Sequence, residues 1–380
     1  MNNILKVGII STNDKPTSLL AEGGTEVFCA NLAYSLAKQG LDVTLFAAAH
    51  SNVEGVKIIE TTESIDKVIE QTDDLTAEGT QYVRDILQLH NIILALKYEK
   101  DFDVIHNNML SELSYAMLET FSNPVVTSIH TPISFLMKNS NISKYILYNR
   151  PNMVYVATSK YQQQQLPVNS SLIYNGIDCD RYGMYGYKNT CEDLIWIGRV
   201  SEITPKGLED ALIVSQILGV KLRYRALFES NNYFYNKIFP LLNENSISVP
   251  SFETLEDKIL FYISGKALIY PLKWEEPFGL IFIEAMATGT PVIAYARGSV
   301  TDLIIDGKTG YIVNESPANI RGEWVVKEFG INGLISAVKH LYALKPDEYY
   351  EMRMRCVEHV RNNFSINSMI EKYIDLYRSF

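Results

Sequence analysis

Two glutamates, Glu276 and Glu284, stand eight positions apart in EEPFGLIFIEAMATGTPVIA, residues 275–294. Pro277, Phe278 and Gly279 read as a tight loop, and Leu280–Ala287 as the start of a helix. The first N–H groups of a helix have no intrahelical partner and carry positive partial charge, which suits an anion or a ring of hydroxyls. Glu276 falls in the loop. Glu284 falls one turn into the helix, where it could accept two hydroxyls bidentately, as a ribose offers them. Taken singly, the same residues also fit a helix cap and a solvated surface charge.

Two further stretches share this character. In LIWIGRVSEITPKG, residues 194–207, Arg199 follows a strand-like run and Lys206 precedes a helical one. A strand-end arginine with a nearby lysine can clamp a pyrophosphate, although such a pair also forms ordinary surface ion pairs. In AEGGTEVF, residues 21–28, Gly23 and Gly24 would let the backbone approach a phosphate. No G-x-G-x-x-G is present, and Gly307–Thr309 is no P-loop, because Asp302 stands where that pattern needs glycine. His130 ends a strand-like run in TSIHTP, and His106 does so in VIHNN; a strand-end histidine can be a site residue or a structural one. Asp101 with Asp103, and Asp178 with Asp180, resemble Asp-x-Asp metal pairs but sit in turn-like contexts. No His/Cys/Asp cluster has metal spacing and no G-x-S-x-G elbow occurs, so no metal site and no serine nucleophile are expected.

The elements that position these residues follow from periodicity. Short apolar runs at Leu5–Ser11, Leu41–Ala47, Val104–Asn107, Val125–His130, Val154–Thr158 and Leu172–Tyr174 alternate with helical patterns such as Glu26–Lys38. Gly40 then supplies a helix stop. After residue 180 the rhythm restarts, with strands expected at Leu194–Ile197, Lys221–Leu227, Ala267–Tyr270 and Val292–Tyr295 and a helix at Leu208–Leu218. This is the βαβ pattern of an α/β protein with two doubly wound parallel sheets, whose ligands lie at the carboxyl ends of strands. We expect a first domain at 1–180, a second at 181–365, and a terminal amphipathic helix at 366–380 that returns to the first. That helix would use Ile366, Ile370, Tyr373 and Tyr377, and the Gly/Tyr-rich connector 180–193 would act as a hinge.

Composition narrows the function. A chain of 380 residues suits two domains, and 47% apolar residues suit a soluble globular protein. The net charge of -10 is concentrated early: residues 1–180 hold 12 Lys+Arg against 20 Asp+Glu. That balance repels polyanions, so nucleic acid is not an expected partner and peripheral membrane contact is disfavoured. No apolar run approaches bilayer length, and MNNILKVGIIS reads as a first strand rather than a leader. Cys29, Cys179, Cys191 and Cys356 form no C-x-x-C pair. A reducing, cytoplasmic setting is expected.

Together the segments GGTEVFCANLAYSLAKQGLDVTLFA, DVIHNN, SLIYNGID, LIWIGRVSEITPKG and EEPFGLIFIEAMATGTPVIAYARGSVTDLI resemble, in order, the retaining family 4 glycosyltransferases of the GT-B fold. The resemblance implies two Rossmann-like domains facing each other across a cleft. It implies transfer of a sugar from a nucleotide diphosphate sugar, UDP-sugar favoured and GDP-sugar open, to an acceptor hydroxyl, with no metal or other cofactor. By position, Glu276 would hold donor-sugar hydroxyls and Glu284 the ribose. Arg199 and Lys206 would bind the diphosphate with the amides of Gly24, Phe278, Gly279 and Leu280. His130 would contact the transferred sugar, and Glu26, with His106 as a weaker candidate, would lie on the acceptor side. The sequence departs from the family at RALFES (225–230) and SVPSFE (248–253), both expected beside the nucleobase. A non-catalytic GT-B partner subunit and a sugar-nucleotide epimerase remain as alternative readings.

Overall fold

A computed structural model describes residues 4–21, 23–72, 75–109, 111–136, 146–183 and 192–380. Most of the 180–193 connector lies outside them. The chain divides into two compact units: residues 1–176 with 366–380, and residues 177–365.

The first unit is built on a seven-stranded sheet: β1 (Lys6–Ile10), β2 (Asp42–Ala47), β3 (Lys57–Glu60), β4 (Val104–Asn107), β5 (Val125–Ile129), β6 (Met153–Ala157) and β7 (Ser170–Leu172). Its spatial order is β3-β2-β1-β4-β5-β6-β7, and neighbouring strands pair in parallel. Parallel strands covered on both faces need no alternation of polar and apolar residues, and Val125–Ile129 is buried at every position. The Gly24–Lys38 helix crosses from β1 to β2, with Phe28, Leu32 and Leu36 on its buried face. The Ile366–Arg378 helix returns to this unit and buries Ile366, Met369, Ile370, Tyr373 and Tyr377 in the same core as Phe28 and Leu32.

The second unit carries β8 (Leu194–Val200), β9 (Leu222–Phe228), β10 (Ser246–Ser248), β11 (Ala267–Tyr270), β12 (Val292–Tyr295) and β13 (Gly310–Val313). These form a six-stranded parallel sheet in the order β10-β9-β8-β11-β12-β13. Strand order reverses between β8 and β11 here, and between β1 and β4 in the first sheet. In open α/β sheets the crevice beyond the carboxyl ends at such a reversal is where ligands bind. Both sheets thus direct attention to residues immediately after those strands.

Candidate functional site

In the second unit, Arg199 closes β8 and the 271–279 loop follows β11, so both lie at the strand-order reversal. The loop feeds the eight-residue Leu280–Ala287 helix through Gly279, whose φ of 80° is left-handed and disfavours any side chain. Ser299 braces the turn: its amide donates to Glu276 O at 2.9 Å and its hydroxyl to Phe278 O. The Phe278 ring is buried, 6.0 Å from the ring of Phe364, so this residue can offer only backbone to a ligand.

Three glutamates of this segment meet different fates. Glu275 accepts four hydrogen bonds, from Arg297, twice from Arg321 and from the Gly298 amide. It fastens the loop to the two arginines and is a scaffold residue that sequence reading passed over. Glu276 accepts from Trp274 Nε1 at 3.0 Å, and Lys206 Nζ stands 3.8 Å from the same oxygen, Oε2. Among the described residues both of these contacts fall on Oε2, which leaves the lone pairs of Oε1 open. Lys206 also lies 5.7 Å from the centre of the Trp274 ring. The structure sets Lys206 beside Glu276 and adds Trp274, which sequence reading missed and whose only signal was an indole N–H two residues before the glutamate.

Glu284 is neither a surface charge nor an open bidentate acceptor. It is 3% exposed. Its Oε1 accepts from Tyr182 at 3.0 Å and Lys258 at 2.7 Å, and its Oε2 from Tyr262 at 2.8 Å. Three of roughly four lone-pair positions are taken, so the expected grip on two hydroxyls at once is not available in this arrangement. Burial and the nearby Glu284 charge push the hydroxyls of Tyr182 and Tyr262 well above their ordinary pKa, which keeps both as donors. Arg199 is paired with Glu229 at 3.0 Å, both side chains 40% exposed. Glu229 belongs to the RALFES departure.

In the first unit, Gly23 caps and Gly24 opens the Gly24–Lys38 helix. Glu26 in its first turn is buried and accepts from Thr12 Oγ1 at 2.6 Å, at the carboxyl end of β1. His130, just past β5, has Nε2 at 2.9 Å from Asn108 Oδ1. The Asn108 amide nitrogen donates to Ile10 O and His106 O, which turns its carbonyl toward the ring. A carbonyl oxygen only accepts, so His130 Nε2 carries the proton and Nδ1 presents a lone pair. Burial pushes the His130 pKa down to about 3, leaving a neutral imidazole at neutral pH.

His106 departs from expectation. It is fully buried, with Nδ1 2.6 Å from Tyr377 Oη and Nε2 2.8 Å from Ser128 Oγ, which in turn meets Tyr373 Oη at 2.8 Å. With both nitrogens engaged it has none for an acceptor. It ties the terminal helix to β4 and β5. Asp178 accepts from the amides of Asp180 and Arg181, a local turn, whereas Asp103 accepts from the distant Lys6 amide at the start of β1. Among the described residues no group of three or more His, Cys, Asp or Glu is arranged to hold a metal. No described helix is long and apolar enough to cross a membrane.

Comparison with known proteins agrees with this architecture. The profile of Glycosyltransferase Family 4 matches residues 22–181, and that of Glycosyl transferases group 1 matches residues 229–321. An uncharacterized 41.2 kDa protein in the cps region of Klebsiella pneumoniae is 24% identical over 320 residues, covering 76% of this chain and 82% of its own. The D-inositol 3-phosphate glycosyltransferase of Corynebacterium aurimucosum is 23% identical over 363 residues, covering 83% and 85%. Among solved structures, sucrose-phosphate synthase from Thermosynechococcus elongatus superposes with a TM-score of 0.77 at 18% identity, covering 99% of this chain and 98% of that one. Anabaena HepE in complex with UDP and glucose gives 0.73 at 15%, covering 99% and 100%. At these identities the solved structures establish the fold. With the two profile matches, they place the chain among the family 4-like glycosyltransferases of the GT-B fold.

Proposed function

We propose that this protein is a retaining, metal-independent glycosyltransferase that moves a hexose from a nucleotide diphosphate sugar, UDP-sugar in preference to GDP-sugar, to an acceptor hydroxyl. The observation that carries the reading is the cluster of Lys206, Trp274 and Glu276 beside the Leu280–Ala287 helix N-terminus, at the strand-order reversal of the second sheet. Cation, carboxylate and helix-end amides are the groups a sugar diphosphate needs. The UDP-glucose complex of HepE, of the same fold, supports uridine.

In this reading Glu276 accepts a donor-sugar hydroxyl on Oε1, and Arg199, Lys206 and the amides at Phe278, Gly279 and Leu280 stabilise the departing diphosphate. Charge stabilisation at a preorganised site supplies most of the rate. The diphosphate oxygen takes the acceptor proton as the new glycosidic bond forms on the face the leaving group vacates, which gives retention. Within the first unit, neutral His130 offers Nδ1 as an acceptor, and the Gly23–Gly24 helix end offers amides. The test is incubation with UDP- and GDP-sugars and a panel of hydroxyl acceptors, with free nucleotide and the anomeric configuration of the product read by NMR. A product of inverted configuration, or nucleotide sugars left unchanged with every acceptor, would reject the proposal.

A further inference from the structure

We propose that Trp274 is a positioning residue that holds Lys206 and Glu276 apart, so that the ammonium stays available to a diphosphate and the carboxylate to a sugar hydroxyl. The inference rests on the functional reading above, in which those two residues take those two roles.

An ion pair stands open here. Lys206 Nζ and Glu276 Oε2 are 3.8 Å apart, with side chains 24% and 14% exposed. That separation exceeds a hydrogen bond. Opposite charges so far withdrawn from water attract strongly, and alone they would close to about 2.7–2.9 Å. Their two segments are already stitched together at the backbone. Lys273 N donates to Pro205 O at 2.9 Å, and a Cβ on Gly207, whose φ is 78°, would stand 2.0 Å from Pro271 O. The remaining gap of about 1 Å is one that a flexible four-carbon lysine stem can close. Trp274 holds both charges with different parts of one side chain. Its indole N–H donates to Glu276 Oε2 at 3.0 Å, and the centre of its ring lies 5.7 Å from Lys206 Nζ. An indole offers a positive N–H edge to the carboxylate and a negative face to the ammonium, at a distance where cation–π attraction acts. The N–H satisfies the oxygen nearest the lysine, and the ring gives the ammonium a competing place. Among the described residues Lys206 Nζ donates no hydrogen bond. An ammonium held by a ring face gives up little when a diphosphate approaches, whereas one bonded to a carboxylate must first break that bond.

A double-mutant cycle, read by calorimetry of UDP binding to the whole protein, tests this, because UDP carries the diphosphate and no donor sugar. Trp274→Phe keeps a ring but removes the N–H donor. Lys206 should then close onto Glu276, and UDP should bind about five- to tenfold more weakly, the fold-change for a charge-assisted hydrogen bond that is partly exposed. In the Glu276→Gln background the same change should cost less than about twofold, since no carboxylate is left to capture the ammonium. Replacing Trp274 by benzothienylalanine, which keeps the bicyclic shape and has sulfur in place of the N–H, should reproduce the loss without disturbing the packing. Equal losses in both backgrounds would mean that Trp274 supports the loop or touches the ligand itself. That result, or no loss with Glu276 present, would overturn the inference while leaving nucleotide binding in place. Failure of the unmodified protein to bind UDP would overturn the functional reading and this inference with it.

Discussion

Glu229→Gln should tighten binding of a nucleoside diphosphate. Arg199 Nη1 lies 3.0 Å from Glu229 Oε1, with both side chains 40% exposed. If Arg199 serves a diphosphate, Glu229 remains on the far side of the guanidinium and repels the ligand. At a separation of about 5–6 Å and an effective dielectric near about 60, suited to exposed groups, one pair of like charges costs about 1 kcal/mol. Salt at about 0.15 M, with a Debye length of about 8 Å, halves this. A diphosphate bearing about two negative charges doubles it again, so removal of the Glu229 charge gains about 1 kcal/mol, or about fivefold in Kd. The fold should hold, since an exposed ion pair contributes about 0–1 kcal/mol. Calorimetry of UDP binding to both proteins at low and high salt is the assay. The advantage of the variant should grow at low salt and vanish at high salt. Weaker binding by the variant would mean that Glu229 instead aims Arg199 at the ligand. An advantage that ignores salt would remove electrostatic competition as its cause.

Four further outcomes are expected. Glu276→Ala should fold normally and lose about 1.5–3 kcal/mol of transition-state stabilisation, roughly ten- to over a hundredfold in kcat/KM; an unchanged value in steady-state kinetics would unseat its sugar contact. Transfer should survive exhaustive EDTA, and activity restored only by magnesium or manganese would reject metal independence. Burial opposes the Glu275 charge, but bonds from Arg321, Arg297 and Gly298 outweigh it and hold the carboxyl below its ordinary 4.5, so its stabilisation is complete above that pH and is lost as pH falls through the lowered value. Glu275→Gln should therefore cost stability at neutral pH, by about 2–3 kcal/mol given its partial exposure, and melt with a flatter acid limb than the parent. Deleting 366–380 removes five buried side chains worth about 1.5–3 kcal/mol each, so hydrogen exchange should show the first unit unprotected while the second stays protected.

Much of the fold was legible because buried parallel strands write themselves as short apolar runs. Ala267–Tyr270 and Val292–Tyr295 coincide with the expected spans, and the terminal helix showed its buried face at Ile366, Ile370, Tyr373 and Tyr377. Edge strands write a weaker signal. β3 is Lys-Ile-Ile-Glu and β10 is Ser-Ile-Ser, each partly exposed, and neither could be told from loop. Helix caps were also readable only in part, since Gly23 caps without a side chain. The site residues were legible as a set of types and less so as a set of roles. Lys258, Tyr182 and Tyr262 approach Glu284 from 26, 102 and 22 positions away. No local spacing announces such a meeting, and His106 looked like His130 until the Tyr377 and Ser128 hydroxyls were seen on its two nitrogens.

Satisfaction of lone pairs sorts the three glutamates better than their spacing does. Glu275 accepts four hydrogen bonds and is full. Glu284 accepts three among the described residues. Glu276 accepts one among the described residues, from Trp274, with a cation nearby at 3.8 Å. A buried or half-buried carboxylate is costly to leave short of donors, so a fold that needs only structure completes the set, as at Glu275. On the proposed function, the donors that Glu276 lacks among the described residues are those that a polyhydroxyl ligand would bring. The same count explains why adjacent glutamates in one loop serve different ends, and why substitution at 275 should be read in stability and substitution at 276 in rate.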